Sequence, residues 1–408
     1  MAVELPDEVI VEILSMLPAK SLLRFQLVCK YWLNLISSSK FKLMHLHNFN
    51  QLNPRYFVRR RLKADDECYD VHLDDEAFSL DDSTQIEFPF DRIRVHSCFR
   101  IVGCCHGVVC LSDDGNCFSD SFDLVILWNP SIRRKLTLPI PIFEVSRFSE
   151  SLVLGFGYDK MSDDYKLVRL VYTHYRKPRP RVEVYAVKTD IWRKVMFPDD
   201  LRCSYIDCSW SQVFSNGCVH WIASDSKQSH NSIMTFDTST EVFGEIMLPD
   251  DLLEVEVSTM MLSLVGESLA VTYYDTLTNR ARMASSTYKT WVMQEHKNPT
   301  SWKMIYDMHY PDVDMGKPLK LRNKGDMIME SSDRNIFVYN YYSGYACRIY
   351  PGNEPTVSCW TYVDNYQESL ALLDVGHSVS GEVTKEALLN GITIPAPELS
   401  PCPQGGKK

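Results

Sequence analysis

No run of apolar residues in this 408-residue chain approaches the roughly 20 that a bilayer-spanning helix needs. The opening Met1-Ala2-Val3-Glu4 has neither the basic segment nor the apolar stretch of a secretion signal. Cysteine is present but unordered: the 13 residues are odd in number and scattered. Cys104, Cys105, Cys110, Cys203 and Cys208 lie fairly close together, yet none makes a C-x-x-C pair and no histidine pattern completes a zinc site. Free buried thiols in a reducing compartment are expected. Glycosylation acceptors are missing too, since Asn129-Pro130-Ser131 and Asn298-Pro299-Thr300 are blocked by their prolines. Positive charge is in short supply: 43 Lys and Arg against 53 Asp and Glu leave a formal net charge of -10, which argues against general nucleic-acid binding. These absences predict a soluble protein of the cytoplasm or nucleus, with no membrane partner, no nucleic-acid partner and no metal.

Catalytic signatures are equally scarce. Gly266-Glu267-Ser268-Leu269-Ala270 imitates a nucleophile elbow, but that motif needs a strand-turn-helix context and here it sits among alternating strands. His106, His174, His220 and His309 are isolated in the sequence, with His220 expected in a strand as a core or surface residue. No H-E-x-x-H, phosphate loop or dinucleotide fingerprint occurs, and no tyrosine, cysteine and histidine spacing selects a copper-oxidase site. No catalytic residue and no cofactor are expected.

What the chain does have is concentrated at its start. Pro6 suits the first helical position, and Asp7 and Glu8 complement the helix dipole. Val9, Ile10, Ile13, Leu14 and Leu17 then form a broad apolar stripe at helical period, which Pro18 should stop near Leu17. A second stretch places Leu22, Phe25 and Cys29 on one face, and a third places Val28, Trp32, Leu35 and Ile36 on another. So short a segment rarely buries its own apolar surface. Some of it should pack on another domain or another protein.

Leu-Pro, an Ile-Leu helix, Leu-Pro again, Ser-Leu, then Val-Cys-Lys and Trp occur in this order from residue 3 to about 45, and the stretch resembles an F-box. The resemblance implies docking on a Skp-family adaptor and, through it, on the cullin scaffold of an SCF ubiquitin ligase. By position, Leu5, Pro6, Ile10, Ile13, Leu14, Leu17, Pro18, Leu22, Phe25, Val28, Cys29, Trp32 and Leu35 match the motif and are the adaptor-contact candidates, several of which must instead be internal to the helices.

Beyond residue 95 the period changes from 3.6 to 2 and a paired unit recurs. Alternating strands at 107–111, 165–170, 217–223, 266–271 and 325–329 are each followed by a strand, a polar turn and another strand, at 125–139, 182–198, 233–249, 290–306 and 336–351. One aromatic marks each second half: Trp128, Tyr185, Phe236, Trp291 and Tyr339, separated by 57, 51, 55 and 48 residues. Spacings in this range indicate propeller blades. Gly115-Asn116, Asp163-Asp164, Thr238-Ser239-Thr240 and Ser343-Gly344 supply turns. A sixth blade can be assembled from 369–373 joined to strands between about 52 and 93, closing the ring from both ends of the chain and removing exposed edges. Acidity concentrates between Asp65 and Asp82, while Arg59-Arg60-Arg61 and 176–181 are local basic runs expected as solvated loops.

The same region carries Cys104-Cys105-His106-Gly107, Leu127-Trp128-Asn129-Pro130-Ser131, Gly155-Phe156-Gly157-Tyr158-Asp159, Val182-Glu183-Val184-Tyr185, Asn216-Gly217-Cys218-Val219-His220-Trp221 and Tyr362-Val363 with Glu368-Ser369-Leu370. In this order they resemble the plant F-box-associated interaction domain of the kelch-like type, and their expected role is structural: turn glycines, turn hydrogen bonds and tryptophans between blades.

The fold class is therefore α+β multidomain, a small N-terminal helical F-box followed by an all-β, six-bladed kelch-like propeller. The expected divisions are 1–48 for the F-box, 49–94 for a linker with the first propeller strands and an acidic loop, 95–375 for the propeller and 376–408 for a largely irregular tail, in which 383–389 could form a short helix. The resemblance implies a non-catalytic substrate receptor that holds a protein of unknown identity for ubiquitination and proteasomal degradation. It also extends to pollen S-locus F-box proteins, which recognise non-self pistil ribonucleases, and an interaction scaffold that promotes no degradation is the alternative. Recognition would fall on propeller loops, with Arg176, Arg179, Tyr273 and Tyr274 as candidates.

Overall fold

The computed structural model describes residues 6–63, 66–75, 78, 83–88, 99–112, 124–145, 150–173, 179–203, 205–206, 212–225, 230–278, 284–311, 315–332, 334–350, 361–375 and 377–378. Leu5, Gly115-Asn116, Cys208, His174, Arg176 and the 383–389 segment lie outside them.

Four helices come first: α1 (Asp7–Ser15), α2 (Ala19–Phe25), α3 (Lys30–Ser37) and α4 (Ser39–Leu52). Two prolines start the first two, but from the cap rather than from the first helical position expected of Pro6. Pro6 and Pro18 are extended (ψ 144° and 141°), and each carbonyl receives the amides three and four residues on. α1 stops at Ser15, two residues short of Leu17. α2 stops at Phe25, so Cys29 is not on its face: Cys29 is the extended cap of α3, and Val28 belongs to the turn before it. α4 begins where the Ser38 hydroxyl accepts the Phe41 amide at 3.3 Å, and it runs through residue 48 to Leu52. Leu14, Ala19, Leu22, Ile36 and Phe41 bury together, and the cluster is completed by Ile132 and Leu370 from outside the helices. The expected shortage of internal partners is thus met in part by the rest of the chain.

Six sheets follow, wound as a propeller. The chain first lays down β1 (Arg55–Lys63), β2 (Asp66–Leu73) and β3 (Thr84–Ile86), then completes four sheets strand by strand from the centre outward or beside it. These are β4 (Arg100–Cys105), β5 (Val108–Ser112), β6 (Val125–Asn129) and β7 (Arg134–Thr137); β8 (Glu150–Asp159), β9 (Asp164–Thr173), β10 (Arg181–Ala186) and β11 (Ile191–Val195); β12 (Val213–Ser215), β13 (Cys218–Ser224), β14 (Asn231–Asp237) and β15 (Phe243–Met247); and β16 (Met260–Val265), β17 (Ser268–Thr278), β18 (Ala284–Met293) and β19 (Trp302–Pro311). A fifth repeats the pattern with β20 (Lys317–Leu321), β21 (Asp326–Glu330), β22 (Ile336–Asn340) and β23 (Tyr345–Tyr350). Finally β24 (Tyr362–Tyr366) pairs antiparallel with β1, Arg55 opposite Tyr366 through Arg59 opposite Tyr362, so the sixth blade reads β24-β1-β2-β3. β25 (His377–Ser378) adds a short strand outside β7.

The repeat expected from the sequence is present: Trp128, Tyr185, Phe236, Trp291 and Tyr339 all sit on the third strand of their blade and are buried, and Tyr69 on β2 is their counterpart in the sixth. The closing strand was misplaced. Residues 369–373 form no strand; they turn beneath Asn129, whose amide donates to the carbonyls of Ser369 (3.0 Å) and Ala371 (2.9 Å). The basic run Arg59-Arg60-Arg61 is not a solvated loop either. It lies on β1, where cross-strand pairing puts Arg59 against Glu67 and Arg60 against Asp70 (3.0 Å), and the acidic stretch supplies those partners from β2.

Blades cohere through apolar seams stitched by single polar bonds. The indole N–H groups of Trp192, Trp221 and Trp302 donate to the carbonyls of Pro139 (2.8 Å), Leu154 (3.1 Å) and Met247 (2.9 Å), each in the preceding blade. Gly155 exists for this packing, because a Cβ there would stand 2.2 Å from Trp221. His220, expected on a strand as either a core or a surface residue, is a core residue: it is fully buried on β13 with Nδ1 3.2 Å from the Val213 carbonyl.

One carboxylate joins helices to ring. Glu368 accepts the Ala19 amide at 2.6 Å and the Arg55 guanidinium, while its backbone amide donates to the Asn50 side chain (2.8 Å) and its carbonyl receives from it (2.9 Å). The Lys42–Asp374 ion pair and the Ser39 hydroxyl on Asp163 (3.1 Å) lie alongside.

Glu368→Ala should lower stability by about 2 kcal/mol, since the Ala19 amide and the part-buried Arg55 both lose a charge-assisted partner, and urea unfolding measures it. Burial, with help from His296 and Lys297, lowers the His220 pKa to about 4. Between the ordinary value near 6.5 and about pH 4, the unfolded chain takes up a proton at this histidine that the folded one refuses, so the contribution of His220 to stability should fall by about 3 kcal/mol across that window and no further below it. His220→Gln removes this component, and urea unfolding at pH 7 and pH 4.5 compares the two proteins.

Candidate functional site

The helical unit presents an apolar surface after its own core and its seat on the propeller are filled. Of the motif residues, Leu14 and Leu22 are buried and therefore hold the helices together rather than face outward. Ile10, Leu17, Phe25, Trp32 and Leu35 are half-buried, with Phe25 and Trp32 edge to face at 5.3 Å. Pro6, Ile13, Pro18, Val28 and Cys29 are exposed. The motif missed part of this surface: Val9, Met16, Leu27, Tyr31 and Leu33 are exposed as well, Leu27 at 87%. Leu27 and Val28 fall in the turn between α2 and α3, which the expectation of one continuous helical face to Cys29 concealed.

The propeller has two unlike ends. The helices cover part of the end that carries the tight turns within blades, touching it at Ile132 in the β6–β7 turn and at Asp163 in the β8–β9 turn. Because strands alternate in direction, the connections that leave β7, β11 and β15 for the next blade start at the opposite end, with 138–145, 196–203 and 248–259 described there. Among the described residues, that end is free of the helical unit.

The distinctive motifs serve the ring. Asn129 and Ser131 clasp the segment after β24, the Ser131 hydroxyl lying 2.6 Å from the Tyr366 hydroxyl. Gly107, at φ 76°, lets that segment pass, since a Cβ would meet the Gln367 carbonyl at 2.2 Å. Burial alone would raise the Asp159 pKa, but hydrogen bonds from Ser162, Ser239, Lys166 and the Met161 amide hold it below the usual carboxylate range, which makes it a turn anchor and not an acid. The Gly266-Glu267-Ser268 stretch is a hairpin turn into β17 with no helix behind it.

A central cavity of about 790 Å³ is lined by inner strands, including Cys104, Cys105, His106, Lys317, Lys320 and Asp364. Burial pushes the Cys104 and Cys105 thiols up and lowers His106 to about 4, so these groups rest neutral at physiological pH. Lys320 is paired with Asp364 at 2.6 Å. No cluster of three or more metal-ligating side chains occurs among the described residues, and no helix there is long and apolar enough to cross a membrane. Of the recognition candidates, Arg179 pairs with Asp199 at the open end, Tyr274 donates to the Ser258 carbonyl at 2.9 Å, and Tyr273 is half-buried on β17.

Comparison with known proteins follows this division. The F-box domain family matches residues 3–44, and the family described as F-box associated beta propeller domain matches residues 68–372. An F-box/kelch-repeat protein of Arabidopsis thaliana is 30% identical over 60% of this chain and 65% of its own length. A second Arabidopsis thaliana F-box protein is 30% identical over 59% of each chain. The chain thus spans less than two thirds of these relatives. F-box/WD-40 repeat-containing protein 1 of Arabidopsis thaliana is 24% identical over 76% of this chain and 70% of its own. Among solved structures, an α-L-arabinofuranosidase from Lactobacillus brevis covers 65% of this chain and 89% of its own at 10% identity and a TM-score of 0.32, too remote to carry any argument. With helices, ring and both family matches in agreement, the chain belongs to the F-box-associated β-propeller family and carries an F-box at its N-terminal end.

Proposed function

We propose that this protein is a substrate-recognition subunit of an SCF-type ubiquitin ligase. The F-box docks on a Skp-family adaptor, which joins it to a cullin scaffold, and the propeller end remote from the F-box holds a target protein for ubiquitination. The chain itself is a non-catalytic receptor: transfer chemistry belongs to the other ligase subunits, and this protein supplies proximity. The observation that carries the reading is that Ile13, Leu27, Val28 and Tyr31 stay exposed after Leu14, Leu22 and Ile36 have filled the interior and Ile132 and Leu370 have joined the same core.

The shared core dictates how the reading is tested. Removing residues 1–45 would strip Ile132 and Leu370 of their partners, so point changes are the cleaner instrument. Ile13→Asp with Leu27→Asp should weaken binding to a purified Skp homologue at least tenfold in calorimetry while leaving the urea midpoint unchanged, since neither side chain is buried. Leu22→Ala should do the reverse first, lowering stability by about 3 kcal/mol through the cavity it leaves. Undiminished adaptor binding by the double aspartate variant would refute the assignment. In cells the same variant should lengthen the half-life of bound targets, an effect that a non-degradative scaffold would not produce.

A further inference from the structure

We infer that the bare edge of β17 from Tyr274 to Thr278, at the end remote from the F-box, receives an extended segment of the target protein as an added β-strand. The inference rests on the substrate-receptor reading above and names how the target is held.

β17 has 11 residues and its inner neighbour β16 has 6. Their ladder runs from Ser268 opposite Val265 to Tyr273 opposite Met260 and stops there, because the chain before β16 arrives through a short turn, Val257–Thr259. On its other side β17 stays paired to its last residue, Tyr274 opposite Tyr288 through Thr278 opposite Ala284, and β18 is backed in turn by β19 as far as Ser285 opposite Pro311. Residues 274–278 are therefore held in strand geometry from one side. Among the described residues, no strand and no backbone hydrogen bond meets the other side.

The other five blades treat the same position differently. β5, β9 and β21 are paired with their inner neighbours to the last residue, at Ser112, Thr173 and Glu330. β13 outruns β12, but Tyr205 covers the overhang: its amide donates to the Ser224 carbonyl at 3.1 Å, and its carbonyl accepts the Ser224 amide at 2.8 Å. β1 outruns β24 as well, and there Arg60, Arg61, Lys63 and a register shift against β2 supply the charge and irregularity that deter strand addition. The overhang of β17, Tyr-Asp-Thr-Leu-Thr, has no Lys, Arg or Pro and no register shift, and its tyrosine and threonines favour strands.

The position of the edge selects the guest. A bare strand edge is a row of backbone N–H and C=O groups, and what satisfies such a row is another extended backbone. Tyr274 lines the central cavity with Ser258 and Met260, and its hydroxyl donates to the Ser258 carbonyl at 2.9 Å, so the overhang starts on the cavity wall with its bare side toward the axis. A second copy of this chain has the same edge turned toward its own axis and cannot bring it here, whereas a single strand can enter. The chain's own C-terminal side is no source either, since β25 runs antiparallel to β7 and points to the F-box end. The guest is thus a proline-free extended stretch of a target, with an aromatic or β-branched side chain opposite Tyr274, where cross-strand pairing favours one.

The test uses the full-length chain with Asp275→p-benzoylphenylalanine, expressed in plant cells with the proteasome inhibited, and mass spectrometry maps the segments joined to it. A synthetic peptide of a mapped segment is then bound to the purified unmodified chain and methylated at one backbone nitrogen at a time. An added strand bonds through alternate amides, so methylation should weaken binding about tenfold at every second position and leave the positions between unaffected. In the protein, neighbouring amides point opposite ways, so one of Thr276→Pro and Leu277→Pro removes a bond to β18 and the other removes only a donor of the bare edge. Whichever variant moves the urea midpoint less should weaken peptide binding about tenfold or more. Joining only to a second copy of this chain, no joined segment, methylation effects without alternation, or undiminished binding by that proline variant would each overturn the proposal. Binding to a Skp homologue and target half-life are read in parallel. A target that pairs with the edge yet turns over independently of the F-box counts against the receptor reading alone, and intact adaptor binding beside any of the four adverse outcomes sinks the edge alone.

Discussion

The pairing of β24 with β1 is the constraint on which the molecule depends. Five residues at one end of the propeller sequence meet five at the other, and the loop they close contains every other blade. Closure of so long a loop is entropically unfavourable, although that cost grows only slowly with length, and it is offset by the apolar seams of the whole ring together. Without that ladder, β1 and the inner face of the sixth blade would be open edges.

The same closure seats the F-box. Glu368 follows β24 by two residues and Arg55 opens β1, so the strands that close the ring also bring together the carboxylate and guanidinium that receive the helices. Asn50 on α4 and the Ala19 amide complete the junction, and the helical core borrows Ile132 and Leu370 from the ring. The F-box is therefore held in a defined position relative to the blades rather than carried on a linker. The exposed apolar residues of the helices at one end and the blade connections at the other thus keep a fixed separation.

Periodic features were legible in the sequence because they are local. The marker aromatics, from Trp128 to Tyr339, recur because each blade needs a large side chain on its third strand, and the turns at Asp163-Asp164 and Ser343-Gly344 declare themselves by composition. The errors arose where the decisive partner is remote or where a local signal had two physical solutions. Arg59-Arg60-Arg61 reads as a solvated loop until Glu67 and Asp70 are known to lie across the ladder. Residues 369–373 look like a strand by apolar alternation, but a residue 240 positions away, Asn129, claims their carbonyls first. In the F-box, the motif identified the right segment yet could not separate Leu14 and Leu22, which are interior, from Ile13 and Val28, which are not.

The sequence by itself determined the class of each part: an apolar helical start bounded by prolines, then strands of period 2 in units of about fifty residues, since these depend on spacing along the chain. It also determined the family, because the family's motifs are runs of neighbours. Only the tertiary structure decided which apolar residues remain outward, which end of the ring stays open, and that β17 outruns its inner neighbour at that end. Exposure and pairing are properties of residues far apart in sequence, and they come into being only when the ring has closed.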